Sequence, residues 1–165
     1  MSQIYILCVD DESEVLKQLN QDLSEFDDTF PIKLAHSAEE ARELIPSLTK
    51  HGDQIGVVLC SHFLPGENGI EFMISMRNDL EMTETRTVLI TRRAGLEETI
   101  KGLNEGRLNY YLAKPWSKED VINVVRDQIT DFFIRSRKNP MAYLEKLSTV
   151  RVFDAIHKGI LPRDE

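Results

Sequence analysis

The sequence has little from which to build a disulfide framework or a metal cage. Two cysteines occur in 165 residues. Cys8 and Cys60 each lie inside an apolar run, which predicts reduced core thiols rather than a bridge or thiolate ligands. His36, His51 and His157 are scattered without ligand spacing and read as surface residues. Long hydrophobic runs are also missing. No stretch approaches the ~20 apolar residues of a membrane span, and the N-terminus has no basic-then-apolar leader, so the expected location is the cytoplasm. Positive charge is short: 20 Lys and Arg against 28 Asp and Glu leave a net charge of −8. That balance argues against general nucleic-acid binding, which draws its affinity from cations on phosphates. Internal repeats and low-complexity tracts are absent. What remains is an ordinary globular composition, 41% hydrophobic and 29% charged, at a length suited to one α/β domain with a short appendage.

Apolar strands alternate with amphipathic helices five times, the pattern of a parallel sheet covered on both faces. The predicted strands are 4–9, 31–35, 55–60, 87–91 and 109–113, short and continuously apolar or β-branched as doubly buried strands should be. A first helix from Ser13 to Phe26 places Val15, Leu16, Leu19, Leu23 and Phe26 on one stripe. A second, over 38–48, buries Ala38, Ala41, Leu44, Ile45 and Leu48, with Pro46 predicting a kink or an early end. A third follows Gly69, with Ile70, Met73 and Met76 inward, and a weaker fourth spans 96–105 with Leu96, Ile100 and Leu103 as its apolar face. The fifth opens at Ser117-Lys118-Glu119-Asp120, close to a capping box, and runs through Val121, Val125, Ile129 and Phe132 to Ser136.

Residues 137–165 form a helical extension beyond the α/β domain of 1–136. Asn139-Pro140 is an N-cap followed by proline at the first helical position, and Lys158-Gly159 is a stop signal. A helix across 140–158 is expected, with Leu144, Leu147, Val150, Phe153, Ile156 and Ile160 as its stripe. That stripe needs cover from its own domain, from a homodimer or from a partner. The extension is too short for a helix-turn-helix output domain of usual size.

Four strand ends carry the chemistry. The first ends in Asp10-Asp11-Glu12, the third in Ser61 before Phe63, Pro65 and Gly66, the fourth in Thr91, and the fifth in Lys114-Pro115. As a set these resemble the receiver domain of two-component response regulators, over residues 3 to about 135. The resemblance implies a doubly wound, flavodoxin-like fold of five parallel strands in order 2-1-3-4-5, with ligands at the C-terminal ends of the strands. It also implies that Asp10, Asp11 and the Phe63 backbone carbonyl hold Mg²⁺, an oxygen-seeking ion. Thr91 and Lys114 would contact a phosphoryl group, and Tyr111 stands at the position of the switch aromatic. The phosphoacceptor aspartate, four residues before the loop proline, is here Ser61.

With Ser61 at that position, the resemblance implies a pseudo-receiver. A serine hydroxyl needs an adjacent base, and His62, its neighbour along the strand, is directed to the opposite face. The pocket has lost a ligand and a negative charge, which weakens Mg²⁺. Without phosphate, Lys114 is expected to pair with Asp10 or Asp11. Arg92, bulky after the fourth strand, can cover the pocket or pair with exposed acids. By resemblance the partners are a histidine kinase or phosphotransfer protein and a downstream signalling protein. They would meet the chain on the fourth helix, fifth strand and fifth helix, or on the extension. The chain is not expected to be an enzyme. Three other readings fit the same residues: an ordinary regulator with an introduced Asp-to-Ser change, a small Mg²⁺-dependent phosphatase-like enzyme using Asp10, and a regulator cut before its DNA-binding output domain.

Overall fold

A computed structural model of the chain describes residues 2–80, 82–92 and 108–162. Its strands are β1 (Ile4–Val9), β2 (Ile32–Ala35), β3 (Gln54–Ser61), β4 (Arg86–Thr91) and β5 (Tyr110–Ala113). They form one parallel sheet in the order β2-β1-β3-β4-β5. Each agrees with its predicted span to within a residue at either end, because an uninterrupted apolar run has no other place to go in a domain this size. The predicted helix over 96–105 lies outside the described residues.

The helices are α1 (Ser13–Asp22), α2 (Ala38–Thr49), α3 (Gly69–Asp79), α4 (Lys118–Ser136) and α5 (Thr149–His157). Strand periodicity sorts the core into two layers. Ile4, Ile6 and Cys8 join Leu16, Leu19, Val125, Ile129 and Phe132 beneath α1 and α4. Leu7, Val9 and Cys60 join Ala41, Ile45, Phe72 and Met73 beneath α2 and α3. The two cysteines are therefore free and buried on opposite faces, and burial pushes the Cys8 thiol up to about 12. Local signals hold where capping chemistry is explicit. Ser37, Asn68 and Ser117 each accept from the backbone N–H three residues on.

Three helical boundaries differ from the sequence reading. α1 stops at Asp22, and the last turn toward Phe26 is a separate 3₁₀ turn over Ser24–Phe26. That turn still brings Leu23 and Phe26 into the core. α2 continues past Pro46 to Thr49, since so late in the helix the ring costs one hydrogen bond and no downstream turns.

The third difference is larger. The helix expected over 140–158 is broken into a 3₁₀ segment, Met141–Lys146, and α5. Between them Leu147 is extended, with φ −108° and ψ 167°. The Ser148 N–H donates to Thr130 Oγ1 on α4 at 2.9 Å. The break resets the helical phase, so Val152, Ala155 and Leu161 face the core with Leu147. Of the predicted stripe, Leu144 and Ile156 pack at its margin, while Val150, Phe153 and Ile160 are 80%, 53% and 43% exposed. The extension docks on α4 and on the turn after α1. Tyr143 stacks on Phe30 with centroids 5.5 Å apart and meets Phe133 at 4.9 Å. Arg151 bridges Asp127 and Asp131, and Lys146 pairs with Asp28 at 3.2 Å.

Candidate functional site at the C-terminal strand ends

Register brings the four strand ends level. Val9 is opposite Cys60, Ser61 is opposite Ile90, and Thr91 is opposite Ala113. One residue further along β1 and β5 lie Asp10 and Lys114. The crevice beyond these ends flanks the point where the strand order reverses, between β1 and β3, where doubly wound sheets place their ligands.

Asp10 and Lys114 are joined. The ammonium donates to Asp10 Oδ2 at 3.0 Å, with the Asp10 side chain 0% and the Lys114 side chain 9% exposed. The other oxygen, Oδ1, accepts the Glu12 N–H at 2.8 Å. Burial pushes the Asp10 carboxyl above its ordinary range. The Glu12 N–H and the Lys114 ammonium pull against that rise, and Asp11 adds to it. Of the two pairings expected for Lys114, the structure has the one with Asp10. The Lys114–Pro115 peptide is cis, and the Lys114 N–H donates to the Thr91 carbonyl at 2.9 Å.

Ser61 is buried at the end of β3, and its hydroxyl donates weakly to the Phe63 carbonyl at 3.4 Å. The carbonyl expected to face a metal thus already has a hydrogen-bond donor beside it. Phe63 itself is 65% exposed and stacks on the His62 ring with centroids 4.4 Å apart. His62 is buried, like Ser61. The floor of the site is close-packed. A Cβ on Gly69, the first residue of α3, would lie 1.9 Å from the Ser61 carbonyl oxygen, so only glycine permits this approach of helix to strand.

Asp10, Asp11 and Glu12 are near enough for one ligand atom from each to lie within 4.8 Å of the others. Glu12 was not among the expected ligands. It also pairs with Arg92 at 3.6 Å, and both are solvated, so this pair contributes little. Thr91 is buried at the end of β4, whereas Tyr111 is outward, half-exposed and stacked on Tyr110 at 6.2 Å.

One participant was missed by the sequence reading. The Trp116 indole N–H donates to Asp22 Oδ2 at 2.9 Å, while Gln18 donates to Oδ1 at 2.8 Å. The Gln18/Asp22 spacing of i,i+4 is a legible helix-surface pair, but Trp116 is 94 positions from Asp22. The loop after β5 is therefore fastened twice, to the site through Lys114 and to α1 through Trp116. An open cavity of about 710 Å³ lies along this loop, lined by Glu12, Val15, Gln18, Arg92, Pro115 and Trp116 among others. Trp116→Phe leaves one oxygen of a buried carboxylate short of a donor and should cost about 1–3 kcal/mol in chemical denaturation.

This fold, with an acid run, a hydroxyl and a lysine at neighbouring strand ends, defines a receiver domain. The sequence profile of the response regulator receiver domain matches residues 6–126, and the chain belongs to that family. Receivers are signalling modules of two-component systems and in general not enzymes. The hydrogenase transcriptional regulatory protein HoxA of Cupriavidus necator is 31% identical over 127 residues, covering 77% of this chain and 24% of that protein. HoxA of Bradyrhizobium diazoefficiens is 28% identical over 124 residues, covering 75% and 24%. The chain thus spans about a quarter of the length of the curated relatives it matches. Among solved structures, the signal receiver domain of an HD domain-containing protein from Pseudomonas fluorescens Pf-5 superposes with a TM-score of 0.71 at 23% identity. That match covers 84% of this chain and 96% of the other. A CheY-like receiver domain protein from Methanospirillum hungatei JF-1 gives 0.66 at 21%, covering 80% and 97%. Both likenesses concern the fold. No described helix is long and apolar enough to cross a membrane.

Proposed function

We propose that this chain is a pseudo-receiver. It signals through protein–protein contacts and does not carry an aspartyl phosphate, because its phosphoacceptor position is Ser61. The observation that carries this reading is the buried hydroxyl at the end of β3, where the family chemistry needs a carboxylate. A serine would form a stable ester rather than a labile acyl phosphate, and its hydroxyl, which needs a base to become a nucleophile, donates to the Phe63 carbonyl. Thr91, Lys114 and Tyr111 keep the positions of phosphate contact and switch without a phosphoryl group to read. Asp10, Asp11 and the Phe63 carbonyl are the metal-side residues, with Mg²⁺ weakened by the loss of the third carboxylate. Residues 1–136 act as the receiver and 137–165 as a helical accessory, working in the cytoplasm without catalysis of their own. The partner is a histidine kinase, a phosphotransfer protein or a downstream signalling protein. Tyr110 and Tyr111 on β5, exposed beside α4, support the expected docking surface there. An introduced Asp-to-Ser change would leave the same pocket.

Intact mass after incubation with acetyl phosphate and Mg²⁺ tests this on the native chain and on Ser61→Asp together. A phosphoryl gain in the aspartate variant alone is the expected result. A gain in the native chain overturns the proposal. A second reading, favoured by the identity to HoxA, is that this receiver serves a longer transcriptional regulator. It predicts an output domain encoded in the same reading frame.

A further inference from the structure

We propose that the Lys114 ammonium is the resident cation of this site, so that the native chain takes up no Mg²⁺ at millimolar concentration. This rests on the reading of the strand ends as a receiver pocket short of one carboxylate. Three observations lead to it. Both Asp10 oxygens are already engaged, Oδ1 by the Glu12 N–H at 2.8 Å and Oδ2 by Lys114 at 3.0 Å. The pair is dry, with Asp10 fully buried and Lys114 nearly so, which strengthens its attraction over that of a surface pair. Ser61 adds no charge, and its hydroxyl leans on the Phe63 carbonyl.

A divalent ion at Asp10 would either share an oxygen with the ammonium, setting two cations side by side in a dry site, or displace it. The displaced Lys114 would then be a buried charge without a carboxylate, because Asp10 is its one ion-pair partner among the described residues. Desolvated charge without a partner is costly. Mg²⁺ also gives up its water reluctantly and is usually held by one or two carboxylates together with further oxygens. The donor set here, Asp10, Asp11 and Glu12 less the charges of their partners Lys114 and Arg92, amounts to a single net negative charge. It does not fit a resident divalent ion. Lysine and metal are alternatives at Asp10, and serine at position 61 tips the choice to lysine.

Thermal melts with and without millimolar MgCl₂ decide the matter, backed by the fluorescence of Trp116, the single tryptophan. The native Tm should not move. Lys114→Met, which frees Asp10 and leaves Ser61 in place, should gain about 3–6 °C with Mg²⁺ tenfold above its Kd. Adding Asp10→Asn to that variant should abolish the gain. If Lys114→Met is unfolded in metal-free buffer, recovery of its circular dichroism on adding Mg²⁺ is the same result, and no recovery overturns the inference. A Mg²⁺-dependent rise in the native chain overturns it as well. Such a rise without phosphoryl mass defeats this inference alone, whereas phosphoryl mass on the native chain defeats the pseudo-receiver reading.

Discussion

Leu147→Ala should destabilise the whole domain by about 2–5 kcal/mol, the range for truncating a buried leucine, while Phe153→Ala should stay within about 0.5 kcal/mol of the native chain. Both positions belong to the same apolar repeat in the sequence, and only the break at Leu147–Ser148 separates their fates. Leu147 is buried in the layer formed by Phe30, Phe132 and Phe133, and Phe153 is exposed. Urea titration of the two variants checks this directly. A single transition with an unchanged slope and a lowered midpoint for Leu147→Ala would show that the extension unfolds with the receiver. Equal effects at the two positions would mean that the continuous helix expected from periodicity is the correct one. Removing residues 137–165 should be harsher still. It uncovers the aromatic faces of Phe30 and Phe133 where Tyr143 stacks, leaving an apolar patch prone to association.

The second large effect is electrostatic. Lys114→Met should cost roughly 3–5 kcal/mol near neutral pH, because it leaves Asp10 buried without its counter-charge. The loss should shrink on acidification. Burial already holds the Asp10 carboxyl above its ordinary range in the folded chain, and deleting the ammonium raises it further. A carboxyl with a folded pKa above its unfolded one binds its proton more tightly when folded, so its ionisation penalises the fold as pH rises through the folded pKa. The penalty shrinks as pH falls below that value and is gone only below the unfolded pKa. Asp10→Asn combined with Lys114→Met should recover most of the stability, since replacing both partners of a buried pair removes both uncompensated charges. Stability measured across the acid range on the four chains of this cycle checks sign and size. A deficit for Lys114→Met that is flat with pH would show that lost packing, not charge, is responsible.

The sheet was legible because its signals are local and redundant. Ile4–Val9 and Gln54–Ser61 are apolar on both faces, and the acid, hydroxyl and lysine residues follow their strands immediately. That Lys114 would pair with Asp10 or Asp11 also followed from the sequence, and the fold selects Asp10. Where reading failed, a long-range contact had overruled a local pattern. Thr130 takes the Ser148 N–H and holds the chain out of helix at Leu147, which no three- to four-residue spacing encodes. Trp116 finds Asp22 across the fold, and nothing near either residue announces the other. Glu12 was passed over as a ligand although it follows Asp10 and Asp11 directly in the sequence, and the turn in the folded chain brings its carboxylate to theirs.

The two thiols can time the opening of each helical layer separately. Cys8 lies in the layer beneath α1 and α4, while Cys60 lies under α2 and α3. Neither is exposed in the folded chain, and burial raises both thiols well above the range in which a thiolate reacts. Alkylation in native buffer therefore proceeds through excursions that lift one layer or the other. Peptide-resolved labelling rates would give the protection of each face as an independent clock, Cys8 for the layer of α1 and α4 and Cys60 for that of α2 and α3.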